Sequence, residues 1–189
     1  MFDPRRWHHY GMAPAIDDES AGGLSREDSH AVQIRPIRPD DRSRWVDLMG
    51  SMSWATRFKR GARRIEALGE ADIDRAVNPK PPGEVAIVAI ATGLPSQPMV
   101  GVVRGTRRDA DVWAFTIVLL DEWQGRGIGS RLMEELIGAV RVTGARCIEG
   151  EVLATNRGML DFVAKLGFEI GPAIAGAMVR RVVLHIPGG

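Results

Sequence analysis

Residues 112–130 read VWAFTIVLLDEWQGRGIGS, and this stretch decides the fold. Its first nine residues are mostly apolar and rich in β-branched and aromatic side chains, as in a buried strand. Glycines then occupy positions 125, 127 and 129, directly before an amphipathic helical pattern. Glycine lets the backbone approach a ligand closely, and the N-terminus of a helix carries a partial positive charge. The junction therefore predicts a phosphate or pyrophosphate site.

The spacing of these glycines distinguishes this loop from two known phosphate-binding motifs. A Walker loop places Lys before Ser or Thr, whereas Gly129 directly precedes Ser130 here, so the sequence disfavours an NTPase. A dinucleotide-binding motif has the order G-x-G-x-x-G, and this chain has G-x-G-x-G. Glu149 and Glu151 would supply the acidic residue of that motif, but the strands before the loop are predicted to form a meander. A Rossmann domain is therefore also disfavoured.

The hydrophobic pattern predicts an α/β (α+β) domain with a mixed, mostly antiparallel sheet of about seven strands and helices on both faces. An edge strand is predicted at 32–37, because Pro36 cannot donate a hydrogen bond to a central ladder. Helices are predicted from Pro39 through Met49, over 53–68, 70–77, 128–140 and 156–166. Strands are predicted at 85–91, 99–104, 112–120, 145–153, 168–170 and 177–186, of which 85–120 forms an antiparallel meander.

Composition limits the classes of function. The chain has 189 residues and a formal net charge of +1, which disfavours a dedicated nucleic-acid or membrane-surface protein. A single cysteine forms no internal disulfide and no metal framework, and it indicates a reducing, cytoplasmic setting. We predict a flexible tail over 1–31, with neither a signal peptide nor a membrane anchor, followed by one domain over 32–189. No metal is predicted, since the adjacent His8 and His9 lack further ligands.

Two motifs resemble those of the GNAT superfamily of acyl-CoA N-acyltransferases. Gln124-x-x-Gly127-x-Gly129 is similar to the pyrophosphate loop of that family. Asn156, followed by a helical pattern that closes with Gly167-Phe168, is similar to its second motif. The stretches 121–129 and 150–160 look most like those of bacterial protein-lysine acetyltransferases. The resemblance covers about 32–186 and implies the GNAT fold, with acetyl-CoA as co-substrate and a primary amine as acceptor, protein lysine being the preferred one.

The resemblance also implies how each residue meets the cofactor. Main-chain groups of Ile117, Val118 and Leu119 would pair with the pantetheine arm where the fourth and fifth strands separate. Asn156 would form a hydrogen bond to the same arm. The pyrophosphate would be held, mostly by backbone N–H groups, at Gln124, Gly125, Arg126, Gly127, Ile128, Gly129 and Ser130.

The groups that usually transfer protons in such enzymes are missing. Val163 stands where many family members have a tyrosine, and Ala114 stands where the lysine-acetylating group has a glutamate. Three alternatives remain. Another carboxylate acts as the base, directly or through water, with Glu151 as the candidate and Glu149 as the weaker one. Positioning alone supports slow transfer, or the chain is a regulatory module that binds acyl-CoA without turning it over.

For the remaining polar residues, a structural role is the preferred interpretation over a functional one. The basic cluster of Arg57, Lys59, Arg60, Arg63 and Arg64 is a solvated helical face or lies near the mouth of the acceptor site. Cys147 is expected to be a small buried residue, because no histidine lies near it in sequence to activate it. His185 is expected to be structural. The sequence leaves open whether the chain is a monomer or a homodimer.

Overall fold

A computed structural model describes residues 31–52, 69–173 and 178–187. The predicted tail, the predicted helix over 53–68 and the basic cluster lie outside these ranges. Within them, no helix is both long and apolar enough to cross a bilayer.

The described residues build a seven-stranded mixed sheet in the order β1-β2-β3-β4-β5-β7-β6. Every neighbouring pair is antiparallel except β4 and β5, which run parallel. The strands are β1 (Val32–Pro36), β2 (Glu84–Ala91), β3 (Met99–Arg107), β4 (Val112–Leu119), β5 (Cys147–Leu153), β6 (Glu169–Ala173) and β7 (Val179–His185). The predicted fold class is therefore confirmed, and β1 lies at an edge as Pro36 requires.

Four helices lie among the described residues: α1 (Arg42–Ser51), α2 (Glu70–Val77), α3 (Ile128–Arg141) and α4 (Arg157–Lys165). Short 3₁₀ turns at Pro39–Asp41 and Asp121–Trp123 precede α1 and the glycine loop. Strand β2 shows how the helices divide between the faces of the sheet. Val85, Ile87 and Ala89 pack in the core that contains α3, whereas Ala86 and Val88 pack in the core that contains α1 and α2. Both faces of β2 are buried, so its sequence is a continuous apolar run.

Two glycines of β3 let α3 lie close to the sheet. A Cβ atom at Gly101 would lie 2.8 Å from Leu119 Cδ1 and 3.2 Å from Leu132 Cδ1. A Cβ atom at Gly105 would lie 2.7 Å from Leu136 Cδ1. At these two positions α3 packs against backbone, and the close contact helps to set where its N-terminus meets the end of β4.

Element boundaries differ from the sequence predictions mainly where the chain is polar. Strand β3 continues to Arg107 because Thr106 and Arg107 still pair with Ala114 and Trp113 of β4. Strand β5 begins at Cys147, two residues later than predicted. Strand β6 covers 169–173 instead of 168–170, because its ladder with β7 contains an irregularity that carries pairing past Ile170. Backbone pairing, and not the apolar period, sets these ends.

Candidate active site

The strands β4 and β5 pair over three residues and then separate. Their register pairs are Val112 with Cys147, Trp113 with Ile148, and Ala114 with Glu149. Both strands continue beyond the last pair, β4 to Leu119 and β5 to Leu153. The sheet therefore opens into a V-shaped cleft, along which the second half of β4 lines a cavity instead of pairing with β5.

Phe115 and Gly150 lie at the closed end of this cleft. A Cβ atom at position 150 would lie 2.5 Å from the ring of Phe115, so only glycine fits beside that ring. The Phe115 ring also packs on Phe168, with 5.3 Å between centroids. The ring thus occupies the space over β5 at the first position beyond the ladder.

The glycine loop has a backbone conformation that few residues other than glycine adopt. Gly125 and Gly127 have φ values of 74° and 77°, in the left-handed region that favours glycine. Gly127 is the N-cap of α3, which has no side-chain cap, so the first N–H groups of the helix remain available for an anion. The side chains of Arg126 and Ile128 turn elsewhere. The Arg126 guanidinium lies 5.1 Å above the Trp123 ring, and Ile128 is buried in the core.

The two polar residues of the motifs hold their own segments in place. The Gln124 side chain donates to Leu119 O at 3.2 Å and to Asp121 Oδ1 at 2.9 Å. It therefore fixes the glycine loop to the end of β4. Asn156 is the N-cap of α4, where its side-chain oxygen accepts from Met159 N at 3.3 Å. This bond uses the oxygen of the amide and leaves its NH₂ group as a donor.

A cavity of about 870 Å³ fills the cleft. Ten of the twelve predicted site residues line it: Ile117, Val118, Leu119, Gln124, Gly125, Gly127, Gly129, Ser130, Glu151 and Asn156. The other two, Arg126 and Ile128, do not line it, so any role they have is through the backbone. Side chains that the sequence did not single out come from β4, β5 and α4, and include Phe115, Thr116, Val152, Arg157, Met159, Asp161, Phe162 and Lys165. The members from α4 recur at helical spacing, and this spacing could have indicated that they share one face of the helix.

The carboxylates of β5 have different surroundings. Glu149 lies directly opposite Ala114 in the register and is held by Arg181 of β7, whose Nε donates to Glu149 Oε2 at 2.9 Å. Glu151, two residues on, lies on the same side of the strand, is exposed and lines the cleft. No ion pair of Glu151 occurs among the described residues. Of the two candidate bases, Glu151 is the one whose carboxylate has no ion pair with another described residue.

Cys147 and His185 are closer than their sequence separation indicates. They are register partners on β5 and β7, so a histidine that is distant from Cys147 in sequence is its neighbour in the sheet. Cys147 is half-buried rather than buried, and burial raises the pKa of its thiol, with the charge of Glu149 adding to the effect. His185 is exposed, 3.8 Å from Glu169 Oε2. Since a raised pKa disfavours the thiolate, this pair does not form an activated nucleophile.

The arrangement brings donors for an anion into the same cleft as an exposed carboxylate. The glycine loop and the start of α3 offer donors for an anion, the separated strand β4 offers backbone groups for an amide-bearing arm, and Glu151 offers a base near the same cleft. Within the part of the chain that the structure describes, no three side chains of His, Cys, Asp or Glu are grouped to hold a metal ion.

Comparisons with known proteins agree on one family. Residues 52–168 match the Acetyltransferase (GNAT) family model. An acetyltransferase of Pseudomonas aeruginosa is 30% identical over 163 residues, which covers 85% of this chain and 88% of the relative. The GNAT domain of PAT from S. lividans superimposes with a TM-score of 0.73 at 23% identity, over 82% of this chain and 90% of that one. NAA60 of Arabidopsis thaliana in complex with acetyl-CoA has a TM-score of 0.60 at 15% identity, over 82% and 98%.

Proposed function

Because the chain belongs to the GNAT acetyltransferase family, we propose that it transfers the acetyl group of acetyl-CoA to a primary amine in a ternary complex. The observation that carries the proposal is the junction of the cleft with the glycine loop. A separated pair of parallel strands ends beside a helix whose N-terminus is capped only by a glycine in the left-handed region.

The proposed placement of acetyl-CoA follows from the donors along the cleft. The pyrophosphate lies at Gly125, Gly127 and the first turn of α3, and the pantetheine arm runs along Ile117–Leu119. The NH₂ group of Asn156 donates to the arm from the opposite wall. The thioester then lies toward the closed end of the cleft, near Glu151.

Glu151 is the proposed base. An ammonium group cannot attack a carbonyl carbon, so its proton first passes to the Glu151 carboxylate, directly or through one water. The amine nitrogen then forms a bond to the thioester carbon and loses its second proton to solvent. The carbon–sulfur bond breaks, and CoA leaves as a thiolate that takes up a proton from solvent. Val163 is fully buried in the core and Ala114 has no polar atom, so neither supplies a proton.

A protein lysine is the acceptor that we propose. The support is the likeness of residues 121–129 and 150–160 to bacterial protein-lysine acetyltransferases. The exposed Glu151 carboxylate, which has no ion pair with another described residue, also favours a cationic acceptor. A second candidate is a non-catalytic acyl-CoA-binding module, which the apolar side chains of Ala114 and buried Val163 favour. This candidate predicts cofactor binding without transfer.

The cofactor site is tested first by thermal denaturation with and without excess acetyl-CoA. Binding to the folded state alone raises Tm, by an amount that grows with ligand concentration. The Gly127→Asp variant should lose this increase, because it places a carboxylate in the anion site. Gly144→Asp is the matched control: Gly144 has φ 76°, close to the 77° of Gly127, has no atom within 4 Å of the position that a Cβ would take, and does not line the cleft. An undiminished Tm increase in Gly127→Asp would refute the proposed site.

The base is tested by measuring CoA release with a thiol reagent, using a lysine blocked at both ends and a set of other primary amines. Glu151→Gln should keep the acetyl-CoA-dependent Tm increase and lose about 10²–10⁴-fold in rate, the usual contribution of a general base. Full activity in this variant would show that Glu151 is not the base. Binding of acetyl-CoA by the unaltered protein without transfer to any amine would support the non-catalytic candidate.

A further inference from the structure

Arg181 lies within reach of both carboxylates of β5. Its register partner across the β5–β7 ladder is Glu151, and its guanidinium donates to Glu149 through Nε at 2.9 Å and through Nη2. Opposite residues of an antiparallel pair have Cβ atoms about 4.5–5.5 Å apart, and diagonal neighbours about 7–8 Å. Arg181 thus turns away from the nearer glutamate to reach the diagonal one.

Burial accounts for this choice. The Glu149 side chain is 23% exposed, whereas the side chain of Arg181 is 59% exposed and Glu151 belongs to the exposed residues. A carboxylate that is mostly removed from water loses more by going unpaired than an exposed carboxylate does. The Arg181 guanidinium therefore pairs with Glu149, the less exposed of the two carboxylates.

We propose that Glu149 is a positioning residue that holds the Arg181 guanidinium away from Glu151 and so keeps the Glu151 carboxylate free to accept the proton of the acceptor amine. The inference rests on the proposed function above, in which Glu151 is the base. Glu149 itself does not touch the reacting atoms in this scheme. Its carboxylate acts on the reaction only by deciding where the positive charge of Arg181 lies.

Removing the Glu149 carboxylate should release Arg181 to its register partner. An arginine beside a carboxylate favours the ionised form of that carboxylate. The carboxylate then binds a proton more weakly, by about one to three orders of magnitude, and is a weaker base. The Glu149→Ala variant should therefore lose at least about tenfold in kcat/KM for the blocked lysine, while acetyl-CoA still raises its Tm. The other charged side chains of the cleft, Arg157, Asp161 and Lys165 of α4, are unchanged.

The deciding variant is the double change Glu149→Ala/Arg181→Gln. If Glu149 acts by restraining Arg181, removing the arginine as well should restore most of the lost rate. Arg180 provides a matched control, since it is the next arginine of β7 and its Nε donates to Gly171 O at 2.9 Å. Glu149→Ala/Arg180→Gln should stay as slow as Glu149→Ala. A merely structural role for Glu149 predicts no recovery in either double variant.

A crystal structure of the Glu149→Ala protein gives a readout that does not depend on the acceptor. We expect a guanidinium nitrogen of Arg181 within about 4 Å of a Glu151 carboxylate oxygen, the usual limit for an ion pair. An Arg181 that stays away from Glu151, an unchanged rate in Glu149→Ala, or no recovery in Glu149→Ala/Arg181→Gln would each overturn the inference. These results differ from a failure of the proposed function, which would show as full activity in Glu151→Gln or as no transfer by the unaltered protein.

Discussion

At the residue scale, Cys147 has an imidazole opposite it and still has the surroundings of an unreactive thiol. Burial raises the pKa of this thiol, the charges of Glu149, Asp109 and Asp111 raise it further, and Arg181 only partly compensates. The thiolate is the nucleophile in cysteine chemistry, so reactivity depends on that pKa. Proximity of His185 is therefore insufficient, because the net electrostatic field around Cys147 is unfavourable to a negative sulfur.

This field predicts slow alkylation of Cys147 at neutral pH. The rate of reaction with iodoacetamide should rise with pH. It should reach half its maximum at a pH above the usual thiol pKa of about 8.5, because a raised pKa means that the thiolate forms only at higher pH. The same protein unfolded in urea is the control, and its rate should rise at the usual pH. A folded protein that reacts at its full rate below about pH 8, under that usual pKa, would contradict the raised value.

At the element scale, the contact between α3 and β3 places the anion site. Gly101 and Gly105 bring the helix against the strand, and the loop of Gly125 and Gly127 then connects the end of β4 to the first turn of that helix. A side chain at position 101 or 105 would push α3 away from the sheet. The position of the helix N-terminus is thus determined by residues on a strand that precedes β4 in the chain.

Substitution of a β3 glycine should destabilise the protein through overpacking. In Gly105→Ala the new Cβ would lie 2.7 Å from Leu136 Cδ1 and 3.2 Å from Trp113, so the free energy of unfolding should fall by about 1–3 kcal/mol. Gly50→Ala in α1 is the control, because no atom of the other described residues, apart from chain neighbours and the backbone of α1, lies within 4 Å of the position that a Cβ would take. Alanine is also favoured over glycine in a helix. Urea denaturation measures both. Equal stability of the two variants would disprove the close contact.

At the scale of the whole molecule, a buried ion pair connects the edge strand to the first helix. Arg35 of β1 donates to both carboxylate oxygens of Asp41 at 2.6 Å, and Arg38 N donates to Asp41 Oδ2 at 2.9 Å. Burial alone would raise the pKa of Asp41. The hydrogen bonds from Arg35 and Arg38 and the charges of Arg35 and Arg44 outweigh burial, so the pKa is lowered.

The lowered pKa makes stability depend on pH in a defined direction. Between the folded and unfolded pKa values the unfolded state binds more protons, so stability rises with pH. The contribution of Asp41 is complete above the unfolded value of about 3.9 and is lost as pH falls through the folded value.

Asp41→Asn should lower the free energy of unfolding at neutral pH by about 3–5 kcal/mol, because it leaves the mostly buried Arg35 without its anion. The difference from the unaltered protein should shrink in acid, as urea denaturation at about pH 7 and about pH 3 can measure. Asp111→Asn removes a half-exposed partner of Arg146 and should cost less than about 1 kcal/mol. A loss of stability in Asp41→Asn that is the same at both pH values would refute the linkage.

The sequence by itself determined those features that depend on neighbours along the chain. The apolar period of β2 and α3 and the left-handed glycines at 125 and 127 are local requirements, so they could be predicted without a partner segment. Ten of the twelve predicted site residues line the cleft. Most of them were predicted from the likeness to the GNAT family, and they lie on separate elements that the fold brings together. The side chains of Arg126 and Ile128 could not be placed, because packing against Trp123 and the core decides their direction.

Only the tertiary structure decided how β5 meets its neighbours. The point at which β4 and β5 separate depends on the ring of Phe115, which needs a glycine at the distant position 150. The sequence predicts Glu151 as the stronger candidate base and Glu149 as the weaker one, but the contact that distinguishes the two carboxylates comes from Arg181 on β7, far along the chain. Pairing register and burial act between distant segments, and the choice of which carboxylate is neutralised depends on both.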